Sequence, residues 1–81
     1  MNDFFIDSAE YISDYVIIVR FHNGEERTIN FGRFFTDSDN PIIQRYADKD
    51  LFRRFKVNFD CLSWGDNDVD ISAEALFNDQ I

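Results

Sequence analysis

The segment WGDNDVDISAE, residues 64–74, places aspartates at 66, 68 and 70, the alternation with which a calcium-binding loop begins. Such a loop supplies oxygens at positions 1, 3, 5, 7, 9 and 12, with glycine at position 6 where the chain turns sharply. Counted from Asp66, position 6 is Ile71 and position 12 is Phe77, so the turn residue and the closing carboxylate are both missing. The metal reading that survives is a weak divalent site made by Asp66 and Asp68. The competing reading is structural: Gly65, Asp66 and Asn67 are turn formers, and Asp70 leads into a helix capped by Ser72.

Cys61 and His22 are the only thiol and the only imidazole. A nucleophilic pair needs them within hydrogen-bond reach, with a third group orienting the base. His22 falls in a hairpin turn and Cys61 starts a strand, and nothing in their spacing brings them together. Zinc needs about three protein ligands or more, usually including several Cys or His, and one of each does not suffice. Gly24, Gly32 and Gly65 are too scattered to cradle a phosphate. No catalytic, cofactor-binding or metal-binding residue is expected, and the chain is not expected to be an enzyme.

Charge narrows the partners. Sixteen acids against eight bases give a net charge of −8, which opposes nucleic acids and anionic membrane surfaces. The charge is also polarised. Arg45, Lys49, Arg53, Arg54 and Lys56 crowd one stretch, whereas Val57 onward holds six carboxylates and no Lys or Arg. Either the two regions face each other or solvent, or they form a two-signed binding surface.

Eighty-one residues with ten Phe, three Tyr and one Trp make one small aromatic domain, residues 1–81. A buried Phe contributes about 1.5–3 kcal/mol, against an ordering cost of about 1–2 kcal/mol per residue, so many rings must be inside. An apolar content of 44% is too rich for disorder. The N-terminus MNDFFIDSAEY lacks a basic leader and no apolar run approaches the ~20 residues that span a bilayer. With a lone cysteine, a cytoplasmic protein is expected.

The elements that position these residues follow from pattern. YVIIVRF and RTINF read as strands joined at Asn23-Gly24, both of which tolerate positive φ. A three-residue loop, His22-Asn23-Gly24, places Ile17, Val19 and Phe21 with Ile29 and Phe31 on one face, gathering more apolar area than a two-residue loop. Val16 and Ile18 then lie on the reverse face, which implies a central strand covered on both sides. FGRFFTDSDNP is a short turn or a helical start, and PIIQRYADKDLFRRF is the best helix, with Pro41 at its first position and Asp48 capping a second short helix. Phe55, Val57 and Phe59 alternate as a strand, CLSW pairs with it, and VDI leads to a helix capped by Ser72. The expectation is an α+β fold with an antiparallel meander of about five strands and two or three short helices.

The order of these features resembles the small bacterial domain-of-unknown-function 2442 family. FHNGEERTINF, DKDLFRRFKVNFD and LSWGDNDVDISAEAL carry the likeness across residues 9–76. The family often has Asn-Gly between the Trp and the Asp, where Gly65 here follows Trp64 directly, and often Pro after the capping Ser, where Ala73 stands. The resemblance implies no established activity. Some relatives are joined to helix-turn-helix domains or encoded in arrangements that look like toxin–antitoxin pairs, which favours an interaction module.

Aromatics in excess of short elements point the same way. Phe4, Phe5, Phe34, Phe35, Tyr46 and Phe77 either complete a dense core or form a patch that seals a homodimer or receives a partner. The expected interaction surface is Arg53, Arg54, Tyr46, Phe34, Phe35 and Trp64. The alternatives are an antitoxin-like acidic regulator of a basic protein and a small-molecule or metal sensor.

Overall fold

His22, Asn23 and Gly24 set how the first sheet assembles. In a computed structural model of the chain, which describes residues 5–78, the Phe21 N–H donates to the Glu25 carbonyl at 2.8 Å and the Gly24 N–H to the Phe21 carbonyl at 3.0 Å. Gly24 takes φ +90°, the left-handed position of a three-residue loop closed by a bulge. Ile17 consequently faces Ile29, and Ile17, Val19, Phe21, Ile29 and Phe31 are all buried, as the three-residue loop requires. Of the rings weighed between a dense core and a surface patch, Phe4 lies outside the described residues.

These strands are β2 (Val16–Phe21) and β3 (Glu26–Asn30). Before them runs β1 (Ile6–Ser13), which turns back through Asp14 at φ +47°. The sheet order is β1-β2-β3, antiparallel, with irregularities at Asp7 and Ile12. β2 is central, as its apolar content requires. Its reverse face is not fully covered, contrary to expectation: Val16 and Ile18 are half-buried there, flanked by Ser13 and Asn30 and by Glu10 and Thr28. Beside them Arg20 reaches Glu10 at 3.2 Å on one strand and Glu26 at 3.0 Å on the other.

The helical run after Pro41 contains the second short helix expected at Asp48, while its first part is shorter than expected. It comprises α2 (Pro41–Gln44), a 3-10 turn (Arg45–Ala47) and α3 (Lys49–Phe52), preceded by α1 (Gly32–Thr36) and followed late in the chain by α4 (Ala73–Phe77). The breaks are written in side chains that compete for backbone hydrogens. Asn40 Oδ1 accepts from Ile42 N at 2.9 Å ahead of Pro41, Asp48 Oδ1 from Asp50 N at 2.9 Å, and Ser72 Oγ from Ala75 N at 3.1 Å. Asp48 itself is extended, ending one helix and opening the next. Helices of four or five residues are not stable alone; these persist because Phe35, Tyr46, Phe52 and Leu76 anchor them in the core.

The second sheet is β4 (Lys56–Val57), β5 (Cys61–Trp64) and β6 (Val69–Ser72), in that order and antiparallel. Among the described residues, a single five-stranded meander is therefore corrected to two three-stranded sheets, and two or three helices to four with a 3-10 turn. The helical run after β3 separates the hairpins. Ile6 N donates to Phe59 O at 3.0 Å between the sheets, short of a paired ladder. The alternating strand expected through Phe55, Val57 and Phe59 is likewise cut to two residues, with Val57 and Phe59 exposed. The α+β class stands. No helix among the described residues is long and apolar enough to cross a membrane.

The core closes on Trp64, which is fully buried. Its ring meets Phe31 edge-on at 5.6 Å, Phe35 edge-on at 5.0 Å and Phe52 stacked at 5.8 Å. Such pairs are worth about 0.5–1.5 kcal/mol each beyond the area they bury. The indole N–H donates to the Phe52 carbonyl at 2.8 Å, satisfying a helix-end acceptor that has no partner in its own short helix. Trp64→Phe keeps an aromatic ring but orphans that carbonyl, so a loss of about 1–3 kcal/mol is expected, read as a lower urea midpoint. An unchanged midpoint would show that the bond contributes nothing.

Candidate functional site

The aspartate run forms the turn between β5 and β6, closed where Trp64 pairs with Val69. Gly65 and Asn67 both take left-handed backbone, at φ +66° and +64°. Asp68 is committed to the fold: Tyr46 Oη donates to its Oδ2 at 2.8 Å, and Arg45 Nη1 lies 3.7 Å from the same oxygen. The Asp68 bond, aided by burial, raises the Tyr46 hydroxyl above its ordinary pKa. Among the described residues no group of three or more His, Cys, Asp or Glu could hold a metal ion.

Gly65 has a second reason to lack a side chain. A Cβ there would overlap the Tyr46 hydroxyl and come within 2.7 Å of Asp68 Oδ2. Gly65→Ala is expected to cost at least about 1–3 kcal/mol, combining backbone strain with the clash. Removing the hydroxyl in Tyr46→Phe should relieve part of that cost, so the double variant should be more stable than the sum of the two single effects predicts. Strict additivity in chemical denaturation would show that the two groups do not compete for one space.

The expected interaction residues separate by burial into three groups. Trp64, Phe35 and Tyr46 are buried and present no surface, because they fill the junction between the helical run and the second sheet. Phe34 is half-buried, edge-on to Phe35 at 5.0 Å. Arg53 and Arg54 are exposed. Arg53 pairs with Asp50 at 3.0 Å and lies 5.7 Å from the Tyr11 ring centroid, while Arg54 and Lys56 make no ion pair among the described residues. The basic stretch and the acidic tail meet in the Arg45–Asp68 pair; Lys49 instead reaches Asp14 at 2.9 Å.

Sequence reasoning placed Phe59 on a strand, and the structure makes it the most open large apolar side chain described, 69% exposed. Its ring stacks on Phe5 with centroids 4.1 Å apart, and Val57 is exposed beside it in sequence. The missed signal is local: Asn58 and Asp60 flank Phe59, and both favour turns over a packed strand. Phe77 is edge-on to Phe21 at 5.2 Å beneath the Arg27 guanidinium, 4.2 Å from its centroid.

His22 and Cys61 serve different neighbours. The exposed His22 Nδ1 is 3.2 Å from Asp7 Oδ1, whereas Cys61 Sγ accepts from Asn58 Nδ2 at 3.5 Å. Burial, foremost, raises the Cys61 thiol above its usual pKa, and nearby Asp70 and Asp60 add to the effect. The thiolate is the nucleophile, so alkylation at mildly alkaline pH should be slow in the folded chain and speed up in urea. Equal rates in both conditions would contradict that environment.

A comparison with curated proteins and with solved structures found no match. A comparison with protein families matched residues 6–81 to the family described as a protein of unknown function, DUF2442. The segments carrying the resemblance form three parts of one fold in chain order: the β2–β3 hairpin, α3 leading into β4, and β5 through α4. With nearly its whole length matched, the chain belongs to the DUF2442 family.

Proposed function

We propose that this domain is a non-catalytic protein-contact module that self-associates through an apolar rim centred on Phe59. The observation that supports it best is the stacked Phe5–Phe59 pair, one ring of which is 69% exposed. Rings that stack at a surface bring a large apolar area already ordered, the property that distinguishes contact hot spots from casually exposed side chains. Arg54 and Lys56 stand close by in sequence without ion pairs among the described residues, which supports a rim that carries cations as well as rings. This is a local inversion of a chain whose net charge is −8. The non-catalytic part of the reading is supported by the separate engagements of His22 and Cys61 and by the hold on the thiol proton.

A second reading, an acidic regulator that covers a basic partner, is favoured by a different observation. Asp37, Asp39, Asp60, Asp66, Asp70 and Glu74 are exposed and make no ion pair among the described residues. Binding of that kind weakens steeply with salt, whereas an apolar seam does not.

Phe59→Ser tests the first reading. Light scattering at high micromolar concentration should show a dimer for the parent chain and a monomer for the variant, with thermal unfolding at low concentration nearly unchanged because the ring is exposed. A strict monomer in the parent chain would remove self-association, and a variant that still dimerises would move the seam elsewhere.

A further inference from the structure

Asn23 and Gly24 form the one Asn-Gly step in the sequence, and both are exposed at the tip of the β2–β3 hairpin. An asparagine followed by glycine is unusually open to ring closure, because no side chain on the next residue hinders its backbone nitrogen. A Cβ built on Gly24 would meet nothing within 4 Å, so solvent reaches the step freely.

We propose that Asn23 is a covalent modification site, a deamidation and isomerisation clock that the folded hairpin holds shut. In the reaction the Gly24 nitrogen gives its proton to solvent base and bonds to Asn23 Cγ. The Cγ–Nδ2 bond breaks, the leaving nitrogen takes up a proton and departs as ammonia, and a five-membered imide remains. Water then opens one of the two imide C–N bonds, giving aspartate or, at the other, isoaspartate with the chain routed through the side-chain carbon. Water enters, ammonia leaves, and no atom changes oxidation state.

Two hydrogen bonds oppose the first step. The Gly24 N–H, whose proton must be lost, donates to the Phe21 carbonyl at 3.0 Å. Asn23 Oδ1 accepts from Glu25 N at 2.9 Å, which holds the side chain in one rotamer and restrains the swing onto the Gly24 nitrogen that ring closure requires. Both break when the hairpin tip opens, an event far less costly than global unfolding. The product propagates. Isoaspartate adds a backbone atom to a three-residue loop, disturbing the neighbouring His22, whose N–H holds the Phe5 carbonyl at 2.9 Å and whose ring meets Asp7. Modification at the tip is thereby transmitted to Phe5 and its stack with Phe59. The inference stands whether or not that stack is a contact surface.

The test incubates the full chain at mildly alkaline pH, folded in buffer and unfolded in urea, and quantifies Asp and isoAsp at position 23 by peptide mapping. The folded chain should convert about tenfold more slowly or slower still, equivalent to an opening cost of about 1.4 kcal/mol or more. Glu25→Pro removes the N–H that Asn23 Oδ1 accepts, and in a folded variant it should bring the rate toward the unfolded value. Equal rates in buffer and urea would overturn the hold exerted by the fold, and absence of product in urea would overturn the site itself; neither outcome depends on how the variant folds.

Discussion

A single donor in a dry environment underlies the architecture: the Trp64 indole N–H on the Phe52 carbonyl. The helical run carrying Phe52 is made of pieces too short to persist alone, and its last carbonyls need partners that water cannot supply in the core. Trp64 provides one from the second sheet while its ring packs against Phe31, Phe35 and Phe52. Tyr15 does the corresponding service from the turn between β1 and β2, donating its hydroxyl to the Ala47 carbonyl and setting its ring edge-on to Phe52 at 5.3 Å. The helical segments are thus held by hydrogen bonds from the second sheet and from the turn that joins the first two strands, and the aromatic core is the medium that makes those bonds strong.

The aspartate run belongs to the same economy of short pieces. What resembles part of a metal loop is a hairpin turn latched onto the helical run, Asp68 receiving the Tyr46 hydroxyl above a glycine that leaves it room. Neutral Tyr46 is favoured by that bond, so its contribution is intact below the ordinary tyrosine pKa and is lost only as pH rises through the raised one. The latch between Tyr46 and Asp68 therefore holds across the physiological range.

Much of this was legible where the signal is local. Asn23-Gly24 and the apolar alternation around it gave the register of the first hairpin, and Asp48 and Ser72 marked helix starts, because caps and turns act over two or three residues. β1 was harder to see as a strand. IDSAEYIS fully buries only Ile6 and survives by pairing with β2, a tertiary effect with little trace in its own alternation. The division into two sheets was illegible for the same reason, since it depends on where the helical run lies in space. At the surface, Arg53 and Arg54 were placed well because charge alone keeps them out. Trp64, Phe35 and Tyr46 were misplaced because a ring in a short element carries no mark of which side it faces, and Phe59 was missed through overextending a strand into a turn.

The separation of the sheets has a kinetic consequence. Each is made of strands adjacent in sequence, β1 to β3 and β4 to β6, so pairing within either needs only short loops to close. Assembly can start at two independent places, and the costly late event is the docking of the two halves around the rings contributed by the segment between them.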